Sequence, residues 1–209
     1  MKIALTGGPS AGKTSAVELL YRGYSEHLCI VPEAASLLFH GGFPRENGVD
    51  HLKSQQRAIY HVQKELEYIG SLDPLRRHLI CDRGSIDTLA YWPDTYESFF
   101  KDIGSTLERE LARYDWVIHL DTVPGEDYKS TNLRTETNAE ALAINSRIRD
   151  AWKSHPRRFV IEDSKEFILK MNVAIRVIDL ILSGSSYDSI CMEIAGAHLN
   201  VPLHTHFST

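Results

Sequence analysis

The sequence has little of what marks secreted or membrane-spanning proteins. Its 209 residues include only three cysteines, Cys29, Cys81 and Cys191. An odd number of widely spaced cysteines excludes a complete disulfide framework and a cysteine-based zinc site. No apolar run approaches the roughly 18 residues that a bilayer-spanning helix requires, and the first residues lack the apolar core of a signal peptide. We therefore expect a cytoplasmic protein with reduced thiols.

Positive charge is also scarce. Lys and Arg together number 23 against 28 Asp and Glu, and the net charge is −5. Proteins that bind nucleic acid over a broad surface carry an excess of basic residues, so that class of partner is not expected, although a local basic cleft is allowed. The 43% of hydrophobic and 24% of charged residues are typical of a globular chain.

Short apolar runs alternate with helical patterns along the chain. Five runs have the composition of buried strands, at residues 3–6, 28–31, 78–81, 116–120 and 159–161. Helical spacing is clearest at residues 13–21, 50–69, 141–151 and 167–181, and shorter helices are predicted from about Glu33, after Gly84 and near Leu107. Buried strands separated by helices are typical of an open parallel sheet covered on both faces. We therefore predict a three-layer α/β/α domain over residues 1–184 and a C-terminal appendage over residues 185–209.

A motif of the form G-x-x-x-x-G-K-[ST] lies between the first predicted strand and the first predicted helix. It consists of Gly7, Gly8, Pro9, Ser10, Ala11, Gly12, Lys13 and Thr14. Its glycines allow backbone N–H groups to turn towards a phosphate, and the helix adds the positive end of its dipole. The Lys13 amine can reach the outer phosphates, and the Thr14 hydroxyl can bind Mg²⁺. The motif predicts a site for a nucleoside triphosphate.

A magnesium ion at such a loop needs a second anchor, usually an acid at the end of a neighbouring strand. Asp82 and Asp121 both follow predicted strands. Arg83 comes directly after Asp82, so a carboxylate and a guanidinium lie together where ligands bind in a parallel sheet. Asp121 instead leads into a Pro-Gly loop, where capping a turn is an equally good role. We favour Asp82 as the anchor; the alternative for Arg83 is a surface ion pair.

Glu33 follows the second predicted strand, in the segment V-P-E-A-A. A carboxylate at this strand end would point into the cleft and could accept the proton of a hydroxyl group that receives a phosphoryl group. Glu33 is therefore the candidate general base. The alternative is an acid at a helix N-terminus that the helix dipole stabilises.

The polar segment of about residues 122–137 has no periodicity of its own. Lys129 and Arg134 in this segment fit a lid that closes over phosphates, although the composition alone slightly favours an ordinary loop. Arg147 and Arg149 follow on the next helix, but a spacing of two prevents both from facing one ligand.

Three polar residues precede or lie on the long predicted helix of residues 50–69. Gln55 and Gln56 could hydrogen-bond the edge of an acceptor, but we expect them on a solvated face. Arg45, in the approach to that helix, is a weaker candidate.

Taken together, the motifs T-G-G-P-S-A-G-K-T, V-P-E-A-A, C-D-R-G and N-L-R-T-E-T resemble one family. It is the P-loop ATPase/kinase family with an AAA domain of the NadR/TRPL-translocation-defect type, and the resemblance covers about residues 1–183. More distantly, the chain is similar to deoxynucleoside kinases and to the nicotinamide riboside kinase domain of NadR. The resemblance implies a parallel sheet of order 2-3-1-4-5 and binding of ATP or GTP with Mg²⁺.

The resemblance also implies roles for single residues. Glu33 corresponds to the base of the deoxynucleoside kinases, Asp82 and Arg83 to the acid–arginine pair that binds metal and phosphate, and Arg134 to the lid arginine. The predicted lid has fewer arginines than the lids of nucleoside kinases, which argues against fast phosphoryl transfer.

Two functions are compatible with these features. The first is a kinase that transfers the γ-phosphoryl group to a hydroxyl of a nucleoside- or riboside-like acceptor, with Lys13, Glu33, Asp82, Arg83 and Arg134 as its catalytic residues and Thr14 and Asp82 as metal ligands. The second is a nucleotide-dependent switch, ATPase or GTPase, because some eukaryotic members of the family are thought to bind GTP and acidic lipid. An N-K-x-D element is missing from the sequence, which argues against a Ras-like GTPase. The sequence leaves a homodimer open.

Overall fold

The computed structural model describes residues 1–24, 26–75, 78–122, 137–162 and 167–196. In these ranges five strands form one sheet, namely β1 (Lys2–Thr6), β2 (Leu28–Val31), β3 (His78–Asp82), β4 (Trp116–Leu120) and β5 (Arg158–Ile161). The strand order is β2-β3-β1-β4-β5, and each neighbouring pair is parallel. The predicted sheet and its order are confirmed.

Helices cover both faces of this sheet. The α-helices of the described ranges are α1 (Lys13–Tyr24), α2 (Ala34–His40), α3 (Val49–Ser71), α4 (Tyr96–Ile103), α5 (Leu107–Leu111), α6 (Asn138–Ala151), α7 (Phe167–Leu182) and α8 (Tyr187–Gly196). None of the helices in the described part of the chain is both long and apolar enough to cross a membrane.

The core is divided by the sheet into two apolar clusters. Successive side chains of a strand point to opposite faces, so Ile3 and Leu5 join the cluster beneath α1, α7 and α8, while Ala4 joins the cluster beneath α3 and α6. The same alternation separates Ile118 from Val117 on β4. A sheet buried on both faces gives the three layers that the sequence predicts.

Two elements differ from the sequence-based expectation. The helix after Gly84 is a 3₁₀ helix, Ser85–Tyr91, in which the Thr88 hydroxyl donates to the Ser85 carbonyl oxygen over 2.8 Å; such bonds compete with the α-helical pattern. Helix α4 was not predicted, because its aromatic residues are as typical of strands. Its boundary signals are nevertheless present: Thr95 caps its N-terminus through the Ser98 N–H group, and Gly104 ends it in the left-handed conformation.

Helix α8 belongs to the segment that the sequence predicts as an appendage. Its Ile190 and Ile194 are buried in the cluster that also contains α1 and α7, and the Tyr187 ring stacks on Phe159 of β5 at 4.9 Å. The predicted lid of about residues 122–137 lies outside the described residues except at its two ends, and Lys129 and Arg134 lie outside them as well.

Candidate active site

The loop between β1 and α1 has the backbone of a phosphate-binding loop. Gly7 has a φ of +134°, and a Cβ atom at this position would lie 2.0 Å from the Leu120 carbonyl oxygen. Only glycine therefore fits where the loop leaves the sheet. Helix α1 begins at Lys13, so the N-terminus of the helix lies within the phosphate-binding loop, as an anion site requires.

Lys13 is folded back over this loop. Its amine donates to the carbonyl oxygens of Gly7 and Gly8 over 2.9 and 2.8 Å, and the residue is 7% exposed. Burial, together with the positive charge of Arg83, lowers the pKa of Lys13 to about 7 although nearby carboxylates oppose the shift. An anion beside the amine would restore its full charge.

Asp82, the last residue of β3, has a carboxylate oxygen available for a ligand. Its Oδ1 is buried without a hydrogen-bond partner, and Asp82 lines the same cleft as Thr14. Burial raises the pKa of Asp82, against the positive charge of Lys13, as expected for a carboxylate that lacks enough compensating charge. A carboxylate and a hydroxyl are the oxygen ligands that Mg²⁺ prefers, so the residues present fit that ion.

Asp121 is in a different position. Its carboxylate accepts hydrogen bonds from Asn145 Nδ2 at 2.9 Å and Arg149 Nη1 at 3.1 Å, and His119 Nε2 lies 3.1 Å from its Oδ1. Asp121 does not line the cleft. These bonds attach the end of β4 to α6, which favours Asp82 over Asp121 as a metal anchor.

Glu33 and Arg83 form an ion pair inside the cleft. Arg83 Nε donates to Glu33 Oε1, and Arg83 Nη1 donates to the Gly7 carbonyl oxygen at 3.3 Å. The side chain of Arg83 is only 14% exposed, so the pair is not a surface pair. Burial would raise the pKa of Glu33, but Arg83, Lys13 and a hydrogen bond from Ser36 outweigh it and lower the pKa to about 2.

Glu33 also stands at the N-cap of α2, as the alternative interpretation expects. It does not cap the helix with its side chain, because the carboxylate is engaged by Arg83 and by the Ser36 hydroxyl at 2.5 Å. Glu33 lines the same cleft as Pro9 and Ser10 of the phosphate-binding loop.

Sequence reasoning missed Asp87, which lies on the 3₁₀ helix and is 2% exposed. Its carboxylate accepts from the Thr6 hydroxyl at 2.7 Å and from Trp152 Nε1 at 2.6 Å, and it lies 3.6 Å from Arg83 Nη1. Arg83 precedes the 3₁₀ helix and has a φ of +76°, so the two residues do not share a helix face and no local sequence pattern points to Asp87.

Beyond the phosphate-binding loop, the cleft extends between α2, α3 and α6 and has a volume of about 770 Å³. Gln55 and Gln56 are each 5% exposed and line it, so the expectation of a solvated face for both was wrong. Gln55 donates to the Glu46 carbonyl oxygen at 2.9 Å. Arg45 and Arg147 line the cleft too. Arg149 contacts Asp121 instead, in agreement with the predicted divergence of the two arginines.

Strand order, phosphate-binding loop and cleft together define a P-loop domain of the kinase type. The chain belongs to the AAA domain family, whose model matches residues 2–167. No curated protein matches the sequence.

Solved structures with the same fold include deoxyadenosine kinase from M. mycoides with bound dATP. It is 15% identical, with a TM-score of 0.56, and the match covers 86% of this chain and 99% of that one. The same kinase with the products dCMP and a flexible dCDP bound is 14% identical, with a TM-score of 0.55 and the same coverage.

Proposed function

We propose that the protein binds ATP or GTP with Mg²⁺ and transfers the γ-phosphoryl group to a hydroxyl of a nucleoside- or riboside-like acceptor. The observation that carries this proposal is the cleft itself. Lys13, Asp82, Arg83 and Glu33 meet at one end of it, and the space between α2 and α3 continues from there. The fold shared with a kinase whose structures hold dATP, dCMP and dCDP supports the same class of ligands.

Each residue at the loop has a role that its chemistry suggests. Backbone N–H groups of residues 10–14 hold the triphosphate, and the Lys13 amine leaves its loop carbonyls for the outer phosphates. Thr14 and Asp82 would hold Mg²⁺, which when bound neutralises charge on the phosphate oxygens. Preorganised positive charge of this kind is the main contribution of protein to phosphoryl transfer.

Glu33 and Arg83 change partners in this proposal. A carboxylate with a pKa of about 2 is a weak base. When a phosphoryl group takes the Arg83 guanidinium, Glu33 loses its strongest neighbouring positive charge and its pKa rises. Glu33 then accepts the proton of the acceptor hydroxyl, and Arg83 stabilises the transferring group. The lid arginine proposed for the same purpose, Arg134, lies outside the described residues.

The outer end of the cleft suits a polar acceptor. Gln56 presents an amide that is buried against the cleft wall, and Arg45 lies with its guanidinium 5.0 Å from the centre of the Phe39 ring. A buried amide beside a stacked guanidinium and aromatic ring is suited to a ring with hydrogen-bonding edges. We place the acceptor here. We also propose a cytoplasmic location, which the free thiols of the cysteines support.

A screen of acceptors tests this proposal. Purified protein is incubated with ATP or GTP, Mg²⁺ and a panel of nucleosides and ribosides, and phosphorylated products are detected by mass spectrometry. We expect one class of acceptor to give product. A protein that binds nucleotide tightly but phosphorylates none of the panel would contradict the kinase and support the second candidate, a nucleotide-dependent switch, which the low pKa of Glu33 favours.

A further inference from the structure

Arg83 has an unusual backbone. Its φ is +76°, in the left-handed region that residues other than glycine seldom adopt. The residue is held there from two sides. Its N–H group donates to the Leu5 carbonyl oxygen at 3.0 Å, and its carbonyl oxygen accepts from Gln63 Nε2 at 3.2 Å. The next residue, Gly84, has no room for a Cβ atom, which would lie 2.3 Å from the Trp152 ring.

Behind this turn lies a polar cluster, called the buried polar cluster below, in which five residues are buried and Lys2 and Arg113 are half-buried. The buried members are Tyr60, Gln63, Glu67, Glu110 and Tyr114. Glu67, 1% exposed, is its centre. One carboxylate oxygen accepts from Lys2 and Arg113 at 2.8 and 2.5 Å. The other oxygen accepts from Tyr114 and Gln63 at 2.5 and 3.3 Å. Four bonds fill the accepting capacity of a carboxylate, so Glu67 fixes all four partners.

The cluster also holds the far end of the turn. The Ser85 N–H group donates to the Tyr114 hydroxyl at 2.6 Å, and the Ser85 hydroxyl donates to Glu110 at 2.7 Å. Glu110 in turn accepts from Tyr60 at 2.7 Å. Arg83 is thus bonded to Gln63, and Ser85 is bonded to Tyr114 and Glu110. Gln63 and Tyr114 are in turn held by Glu67.

Apolar residues would fill this space at least as favourably, because burying ions costs desolvation that their attraction repays only in good geometry. The opposite face of the sheet is filled that way, by the cluster that contains Ile118 and Ile178. A network of directional bonds instead specifies one geometry for the groups attached to it.

We propose that the buried polar cluster positions Arg83: Gln63 and Tyr114 hold the turn of residues 83–85 so that the guanidinium reaches Glu33 and the Gly7 carbonyl. Gln63 and Tyr114 act through Arg83 and are positioning residues. The consequence for turnover rests on the proposed function, whereas the placement of Arg83 does not.

The direct test observes Arg83 itself. The Nε–H signal of Arg83 in a ¹H–¹⁵N spectrum is assigned with an Arg83→Lys variant. Gln63→Met and Tyr114→Phe keep side-chain size and remove one group each, and we expect both to shift or broaden that signal. Tyr187→Phe is the matched control, because it removes a tyrosine hydrogen bond to the Arg158 carbonyl oxygen on the opposite face of the sheet, away from the buried polar cluster. An unchanged signal in Gln63→Met and Tyr114→Phe, or an equal shift in Tyr187→Phe, overturns the proposal.

A milder variant covers the case in which Gln63→Met does not fold. Ser85→Ala removes only the bond to Glu110, and it should move the Arg83 signal as well; an unmoved signal counts against the cluster. With an acceptor in hand, Gln63→Met should lower kcat roughly 10- to 100-fold at an unchanged nucleotide Kd, since small misplacement of a catalytic group has effects of this size. If the wild-type protein phosphorylates none of the acceptors, that result contradicts only the proposed function. The Arg83 signal still tests the role of the cluster, because it does not depend on an acceptor.

Discussion

At the carboxyl edge of the sheet, β2 and β3 lead into Glu33, Asp82 and Arg83, while β4 and β5 lead into Asp121 and Glu162. Acids therefore follow strands in both halves of this edge. In the β4–β5 half, Arg149 lies 3.1 Å from Asp121 and 3.8 Å from Glu162, so one guanidinium serves both acids.

The β2–β3 half is different. An oxygen of Asp82 is buried without a partner, and Arg83 reaches from Glu33 to the phosphate-binding loop. The type of residue at a strand end therefore does not define a site. What defines it is whether the surrounding structure satisfies the charge or leaves it available for a ligand.

The largest expected effect is on kcat, and it distinguishes Glu33 from Glu162, the two glutamates that follow strands. Glu33→Gln should lower kcat about 10²- to 10⁴-fold, the contribution of general base catalysis, because an amide cannot accept the proton. Glu162→Gln is the matched control in the β4–β5 half and should leave kcat within twofold. Steady-state kinetics with the acceptor from the screen measures both. Equal rates for Glu33→Gln and the wild type would remove Glu33 as the base.

The two aspartates should differ in their dependence on magnesium. Asp82→Asn should weaken Mg²⁺-dependent nucleotide affinity roughly 10- to 100-fold, since a neutral amide is a poor ligand for a hard cation. Asp121→Asn should change it less than about threefold, because its oxygens are already bonded. Calorimetric titrations with and without Mg²⁺ give both values. The reverse order of the two variants would show that the anchor lies in the β4–β5 half.

A smaller effect concerns pH. The pKa of Lys13 is lowered to about 7 in the free protein, and a bound triphosphate raises it. The free protein must therefore take up a proton to bind above pH 7, and nucleotide affinity should fall by at most about tenfold per pH unit between pH 7.5 and 9.5. Asp121→Asn should keep this slope. Lys13→Met should lose it, and a slope that persists in Lys13→Met would assign the titration to another group.

The smallest effect is on stability. Asp121→Asn weakens an ion pair whose Arg149 side chain is 39% exposed, so the loss should be about 1 kcal/mol or less. For a chain of this length that corresponds to a Tm decrease of about 2–4 °C at most. Thermal unfolding followed by circular dichroism measures it. A much larger decrease would show that the β4–β5 half carries more of the fold than its partly exposed pair suggests.

Much of the site could be predicted because its parts are local. Residues 7–14 form one contiguous loop, and Glu33, Asp82 and Arg83 each follow a recognisable strand. Gln55 and Gln56 could not be placed in the same way. Helical periodicity assigns polar residues to solvent, but α3 lies along a cleft and a buried polar cluster, so polar side chains occupy its inner face.

The alternation of strands and helices, the phosphate-binding loop and the acids at the strand ends could all be inferred from the amino-acid sequence, because these features depend on neighbouring residues and on strand direction. Three other features depend on the folded chain: which acid keeps an available oxygen, the pairing of Arg83 with Glu33 and Asp87, and the hydrogen bond from Gln63 to the Arg83 carbonyl oxygen. Those contacts join residues up to 50 positions apart, and burial determines their charge states. Desolvation and pairing are properties of the folded surroundings, which no local pattern encodes.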